Sequence, residues 1–571
     1  MEKNDLTDEI IKDINYYSYL VQYGGDIEEE FNKYPLLKIK KINDKYAILF
    51  VPEDQLNIID QGFDFKTIEH INIPQMFTLE EISPVEASNV NLLQLNLPLN
   101  LTGKGVNIAV IDTGIDYLNE EFMDSSGQTR IDLIWDKNIS STSEGNIEVP
   151  FGTIYKKEDI QKAINEFKSG KDPYAIVPSK DEIGHGTKMS GLIGAAGKNP
   201  DLKGVAPQCN LIEIKLIEDY TYKNKYRADV PVYNITTIFS AIEFLYRYAL
   251  SSKIPLIIYF PLGTNAGNHM GNGFLDQYID NICMNPEIAV VTGTGNERDS
   301  KTHTSGVLLK EEKAKVIDVE VSPEEKDLWI EIWVDMPNIF SLDIVSPSGE
   351  STGIINALIN DTQYQTFIFE KTSVKVNYYI PEAISGDELI RIRFFDLQPG
   401  IWKLRLTGNL ILDGRFNVWM SQSGLKAKDT GFSLVDTYGT TTNPANSKII
   451  VTIAAYNQNN DNLVNYSGVA FEKNYVNGID VAAGGVNALT IAPNNKIELA
   501  NGTSVAAAIG AGACALIFQW GIVEGNYPHM YAQALKTFLI RGTDMRSGDI
   551  YPNPSLGYGK LNIYKIFKNI I

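Results

Sequence analysis

Ser504 closes the run Asn501-Gly502-Thr503-Ser504, ahead of a small-residue stretch from Val505 to Leu516 that carries Ala506, Ala507, Ala508, Ala511, Ala513 and Ala515. Such a stretch predicts a closely packed helix with Ser504 at its N-terminus, where the hydroxyl lies beside free backbone N–H groups. A nucleophile needs that setting if an oxyanion is to form next to it; an ordinary serine N-cap on a buried helix has it too. Three other residues stand in comparable places. Asp112 ends the apolar run Val106, Ile108, Val110 and Ile111 and is followed by Thr113-Gly114-Ile115-Asp116, as a residue delivered to the carboxyl edge of a buried parallel strand would be. His185 lies between Gly184 and Gly186, before Thr187 and the small-residue run from Ser190 to Ala195, so its ring can come close to other backbone. Asn296 follows Thr292-Gly293-Thr294-Gly295 on the run that begins at Ala289. Singly these read as a capping Asp, a structural His, a Gly-Asn turn and an N-cap Ser. Together, an acid, an imidazole, an amide and a hydroxyl at four glycine-marked element ends make a set for attack on a carbonyl. Four such coincidences are less expected than one active site.

The elements that must hold these residues are read from hydrophobic periodicity. Apolar runs at Leu211 to Leu216, Leu256 to Phe260, Ala289 to Val291 and Ile449 to Ala454 alternate with helical stretches such as Ile238 to Leu250, which predicts an α/β domain with a largely parallel sheet. Residues 1–96 read as a small α+β unit without chemistry of its own: a strand at Tyr16 to Tyr23, a short helix at Asp26 to Lys33, a hairpin turning at Asn43 and Asp44, and further helix and strand from Leu56 to Ile71. His70 is taken as structural. Glu80 to Thr102 reads as extended connecting chain, or a cleavable one, and the charged stretch from Asn119 to Lys180 as surface insertion. From about Val307 the texture changes: Leu328, Ile330, Ile332 and Val334 alternate with Trp329, Glu331 and Trp333, and Trp402, Leu404 and Leu406 with Lys403 and Arg405. Short strands between turns at Pro347, Gly349, Pro399 and Gly400 predict an inserted all-β jelly roll. The expected layout is therefore 1–96, 97–306, the insert at 307–425, and 426–571. Trp329, Trp333, Trp402 and Trp419 could be carbohydrate platforms, but their alternating strands favour the core.

The 571 residues carry a net charge of −21 with a pI near 4.8, which excludes sequence-independent binding to nucleic acid or anionic lipid. Cys209, Cys283 and Cys514 form neither a CxxC nor a disulfide framework and fit buried thiols made in a reducing compartment. Met1 to Ile14 is acidic and lacks the apolar core of a signal peptide, and Val505 to Phe518 is shorter than a bilayer span, so synthesis in the cytoplasm without a membrane segment is expected.

The order Asp, His, Ser is that of subtilisin. Asp112-Thr113-Gly114, Gly184-His185-Gly186-Thr187 and Asn501-Gly502-Thr503-Ser504 resemble the catalytic motifs of the subtilisin-like serine proteases (subtilases), Gly295-Asn296 their oxyanion asparagine, and Gly557-Tyr558-Gly559 their C-terminal signature. The resemblance covers about 97–305 and 430–571. It implies a subtilisin-like mostly parallel sheet with helices on both faces, and a serine endopeptidase with Asp112, His185 and Ser504 as triad. Leu262, Gly263 and Thr294 would contact substrate, and no cofactor is needed for the chemistry. Two departures stand out. Pro261-Leu262-Gly263 replaces Ser-Leu-Gly, removing a backbone donor from the substrate strand; Val505 and Ala508 replace the usual Met and Pro after the nucleophile. Subtilases often bind calcium, but no spacing here assigns ligands. The N-terminal unit resembles the subtilase prodomain, a folding chaperone and inhibitor cut off by the enzyme itself, which places self-cleavage between Ile82 and Pro98, near Leu95. Prodomain, inserted jelly roll and acidic chain together resemble the clostridial Csp germination proteases, which implies residence in spores and a cortex-lytic hydrolase zymogen as protein substrate. A pseudoprotease, or a sensor module with a closed subtilase site, is the alternative.

Overall fold

The computed structural model describes residues 10–60, 65–72, 74–79, 88, 90, 93, 99–140, 149–472 and 478–568. Of the expected self-cleavage segment, Ile82 to Pro98, only residues 88, 90 and 93 are described, and Leu95 lies outside them.

The apolar runs are the strands of a central sheet. Its parallel members lie in the spatial order Lys560–Leu561, Val481–Gly484, Val451–Asn457, Ile288–Gly293, Leu256–Tyr259, Asn107–Asp112, Asn210–Lys215 and Ile131–Asp136. Thr153–Lys156, Asn462–Leu463 and Thr543–Asp544 add antiparallel edges. Strands buried on both faces read as continuous rather than alternating apolar sequence, and Asn107–Asp112 is buried at every position. Helices His185–Gly194 and Thr503–Phe518 pack on each other and on the sheet, as do Ile235–Ser252 and Phe274–Cys283. The architecture is the expected α/β one, a mostly parallel sheet packed with helices. Residues 119–180 are more than the surface insertion expected of them. They supply Ile131–Asp136, whose Trp135 is wholly buried, and the amphipathic helix Lys157–Lys168 against it. One strand and one helix face are apolar there, and the charged residues that dominate the composition occupy the other face.

The N-terminal unit is a four-stranded antiparallel sheet of Lys38–Lys41, Tyr46–Pro52, Tyr16–Tyr23 and Ile68–Ile71, with the helix Ile27–Phe31 on it. This matches the sequence reading strand for strand. A further strand, Met76–Leu79, leaves the unit and pairs with the central α/β domain on both sides, with Tyr233–Asn234 and with Leu262–Gly263.

The insert is a β-sandwich. Six strands, in the order His303–Val307, Arg415–Met420, Leu328–Val334, Glu388–Phe395, Ser373–Tyr379 and Thr362–Thr366, face four, Ile339–Val345, Gly400–Leu410, Lys315–Val321 and Gly431–Phe432. The inner faces of both sheets share one core. Its strands run from His303 to Phe432, a wider span than the expected 307–425. Trp329, Trp333, Trp402 and Trp419 are all buried, as are the three free cysteines. Trp419 is stacked between His269, at 4.1 Å, and His303, at 4.7 Å, and offers no face to a sugar.

Candidate active site

Ser504 is the second residue of the helix Thr503–Phe518, which is buried along its whole length. Gly502, at φ 130°, turns the chain into that helix, a backbone angle open to glycine and rarely to other residues. The Ser504 carbonyl accepts from the Tyr259 hydroxyl at 2.6 Å, which fixes the helix start against the end of a central strand. The Ser504 hydroxyl is buried and has no hydrogen-bond partner among the described residues.

His185 begins the helix His185–Gly194, which packs on the Ser504 helix. Its Nδ1 lies 2.8 Å from both Asp112 carboxylate oxygens, so Nδ1 carries the proton and the lone pair is on Nε2. Asp112 sits at the end of its strand, wholly buried, and also accepts from the Thr113 backbone N–H at 2.7 Å. The fold requires the glycine after His185: a Cβ on Gly186 would stand 2.2 Å from the Gly114 carbonyl oxygen. Only a residue without a side chain lets the histidine helix come down onto the Asp112 strand.

Asp181 ties these two elements together. One carboxylate oxygen accepts from the Thr113 hydroxyl at 2.8 Å and the Gly184 N–H at 2.7 Å; the other accepts from the Thr187 N–H at 2.9 Å and hydroxyl at 2.7 Å. Burial raises its pKa and these bonds oppose the rise. Behind Asp112, Glu213 is fully buried with neither oxygen hydrogen-bonded among the described residues. Burial, and then the charges of Asp112 and Asp181, push its carboxyl well up, which favours its neutral form. Neither residue carries a sequence signal: Asp181 acts through backbone N–H groups and the hydroxyls of Thr113 and Thr187, and Glu213 is a single acid within an apolar strand.

Asn296 lies beside the Ser504 helix. Its Oδ1 accepts from the Thr503 N–H at 3.5 Å and from the Thr503 hydroxyl at 3.3 Å, which turns its Nδ2 donors away from Thr503. Of the three substrate-contact candidates, Leu262 and Gly263 pair antiparallel with Leu79 and Thr78, as they would with an extended peptide. Thr294 is buried in internal bonds: its hydroxyl is 3.0 Å from that of Ser467 and its carbonyl accepts from Thr442 N–H at 3.1 Å. Among the described residues no group of three or more His, Cys, Asp or Glu side chains is placed to hold a metal ion.

An acid, an imidazole and a serine at the ends of adjacent elements, with an amide beside the serine and a strand able to pair with peptide, are the groups that acyl transfer calls for. The sequence model of the subtilase family (Peptidase_S8) matches residues 103–319 and 434–559. Among solved structures, the CspB protease of Clostridium perfringens is similar with a TM-score of 0.75 and 28% identity, covering 84% of this chain and 96% of that one. The epidermin leader peptide processing serine protease EpiP of Staphylococcus aureus gives a TM-score of 0.47 at 15% identity, covering 97% and 98%. No curated protein matches the sequence.

Proposed function

The chain belongs to the subtilase family and is similar to the CspB protease, and from that premise we propose that Asp112, His185 and Ser504 make it a serine endopeptidase that cuts its own N-terminal unit and then one or few protein substrates. Ser504 Oγ attacks the peptide carbonyl while His185 Nε2 takes its proton, and Asp112 holds the imidazole and stabilises its cation. Asn296 Nδ2 and the Ser504 N–H receive the oxyanion. His185 returns the proton to the leaving amine, and water, activated by the same imidazole, releases the acyl group.

The observation that carries this reading is the strand Met76–Leu79. It lies between Tyr233–Asn234 and Leu262–Gly263 as an extended peptide would lie in a protease cleft. Leu79 is opposite Leu262 and Thr78 opposite Gly263, so the strand runs toward Pro261 and Tyr259, and the Tyr259 hydroxyl touches Ser504. We extend the reading, on the resemblance of the chain's layout to the clostridial Csp germination proteases, to a spore protein that activates a cortex-lytic hydrolase zymogen by limited cleavage; the similarity to the CspB protease supports the protease part alone.

A second reading has its own support. The Ser504 hydroxyl is buried and unpartnered among the described residues, the N-terminal strand fills the cleft, and Pro261 offers it no N–H. A pseudoprotease or binding scaffold with a closed site would have these features.

The intact mass of wild type beside Ser504→Ala separates the two. Two fragments from wild type, divided C-terminal to Leu79, with Ser504→Ala whole, are expected of the protease. Two whole chains would replace it with the closed scaffold.

A further inference from the structure

Gln422 belongs to the sandwich, two residues beyond the strand Arg415–Met420, yet its side chain lies in the peptide cleft. It is 1% exposed. Its Nε2 donates to the Gly263 carbonyl at 3.3 Å and to the Met76 carbonyl at 2.9 Å, and so bridges the enzyme's cleft strand and the strand that occupies it. Two carbonyl acceptors require the nitrogen end of the amide to face them, which leaves the buried Oε1 without a hydrogen-bond partner among the described residues. A buried polar atom left unsatisfied opposes folding, so this side chain is held there against a cost that its two bonds offset.

A second sandwich residue reaches the same chain. Arg391, 4% exposed, donates to the Pro74 carbonyl at 3.3 Å and pairs with Glu331, also at 3.3 Å. Glu331 in turn accepts from the Gly267 N–H at 2.9 Å, on the loop that follows the cleft strand. Next to Gln422, the Ser423 N–H donates to both Glu297 oxygens, at 3.1 and 3.2 Å, and Glu297 adjoins Asn296. The sandwich is thus anchored to the oxyanion segment on one side and to the occupant of the cleft on the other.

We propose that the inserted sandwich is part of the peptide-binding cleft, with Gln422 as a binding residue and Arg391 behind it. Both grip the backbone of any extended chain well before the bond to be cut. The N-terminal strand holds that place in this structure, and a protein substrate takes it in turn. Because both contacts are made to main-chain carbonyls, they extend the required length of substrate without selecting its side chains. This rests on the protease reading, and its test is divided so that the two can fail separately.

In the full chain carrying Ser504→Ala, Gln422→Met keeps volume and loses both bonds, and Gln422→Asn keeps the amide and loses its reach. Hydrogen exchange of Met76 to Leu79 is expected to quicken about tenfold in each, with the strand Asn107–Asp112 unchanged. Unchanged exchange in whichever variant folds overturns the proposal, whether or not the protein is a protease. In the active chain, cleavage of a peptide spanning residues 74–90 is compared with one spanning 77–90, which cannot reach Gln422 or Arg391. Both compete with the same occupant, so the ratio of their kcat/KM values is independent of it. The longer peptide is expected to be favoured about tenfold by wild type and by Gln422→Met much less. Equal ratios in wild type and variant overturn the substrate role. No turnover of either peptide by wild type overturns the protease reading and leaves exchange to decide whether Gln422 grips the strand.

Discussion

Asn296 separates positioning from chemistry at the scale of one residue. Its carbonyl end is engaged by Thr503, so the amide donors are the part that can serve an oxyanion. Asn296→Leu keeps the size and removes the donor. We expect kcat to fall about 10²-fold to 10³-fold, a magnitude known from subtilisin, with KM little changed, while loss of the acceptor for Thr503 lowers the unfolding midpoint modestly. Steady-state kinetics on a cleaved peptide checks this; a raised KM at constant kcat would make Asn296 a ground-state binder. The four candidate site residues were legible in the sequence because each has a glycine nearby that permits a close approach, as Gly186 does beside His185. Asp181 and Gln422 were not. Asp181 acts through Thr113 and Thr187, and Gln422 through the carbonyls of Met76 and Gly263, so neither has a local pattern to betray it.

Elements show the same division. Strands buried on both faces announce themselves as continuous apolar runs, and the N-terminal unit announces itself by alternation and a turn at Asn43. The strand Met76–Leu79 is four residues long and is made by its partners rather than its own pattern, so it was invisible until the fold supplied them. Helix Phe274–Cys283 carries a pH-dependent contribution of its own. Asp276 caps it, accepting from the Gly273 N–H at 3.1 Å, while its other oxygen is buried without a hydrogen-bond partner among the described residues. Burial, and then the charge of Asp280, push its carboxyl up to about 7. A raised folded pKa means that the fold keeps a proton which the unfolded chain, titrating near 4, gives up. That stabilisation is complete below about pH 4 and is lost as pH rises toward about 7. Asp276→Asn mimics the protonated form and accepts the same N–H. In denaturant titrations of Ser504→Ala protein, the variant is expected to gain on its parent by at most a few kcal/mol between pH 4 and pH 8. An unchanged difference across that range would show that Asp276 titrates normally.

On the scale of the whole molecule, three units meet in one apolar cluster. Tyr17 and Met76 come from the N-terminal unit, Tyr222, Tyr226, Val232 and Ala266 from the catalytic domain, and Trp329 and Leu425 from the sandwich. This cluster is separate from the core of the central sheet and from that of the sandwich. Release of the N-terminal unit must therefore expose sandwich surface as well as the cleft, and the insert becomes a determinant of how long the unit stays. Truncating a buried Trp in a core costs about 3–5 kcal/mol, and at Trp329 that loss falls on the junction while the two large cores keep their own contacts. Trp329→Ala should leave the strands Asn107–Asp112 and Ile330-centred sandwich core protected in hydrogen exchange while Tyr16 to Tyr23 exchanges faster. After self-cleavage, the N-terminal fragment should part from the rest on size exclusion in the variant and co-elute with it in wild type. Turnover of an added peptide should rise in step with that release, because the strand that leaves is the one paired with Leu262 and Gly263. If the fragment parts equally readily from both proteins, the three-way junction is a consequence of assembly, and retention of the unit depends on its cleft strand and on the packing of Tyr46 against Phe239, Phe274 and Tyr278.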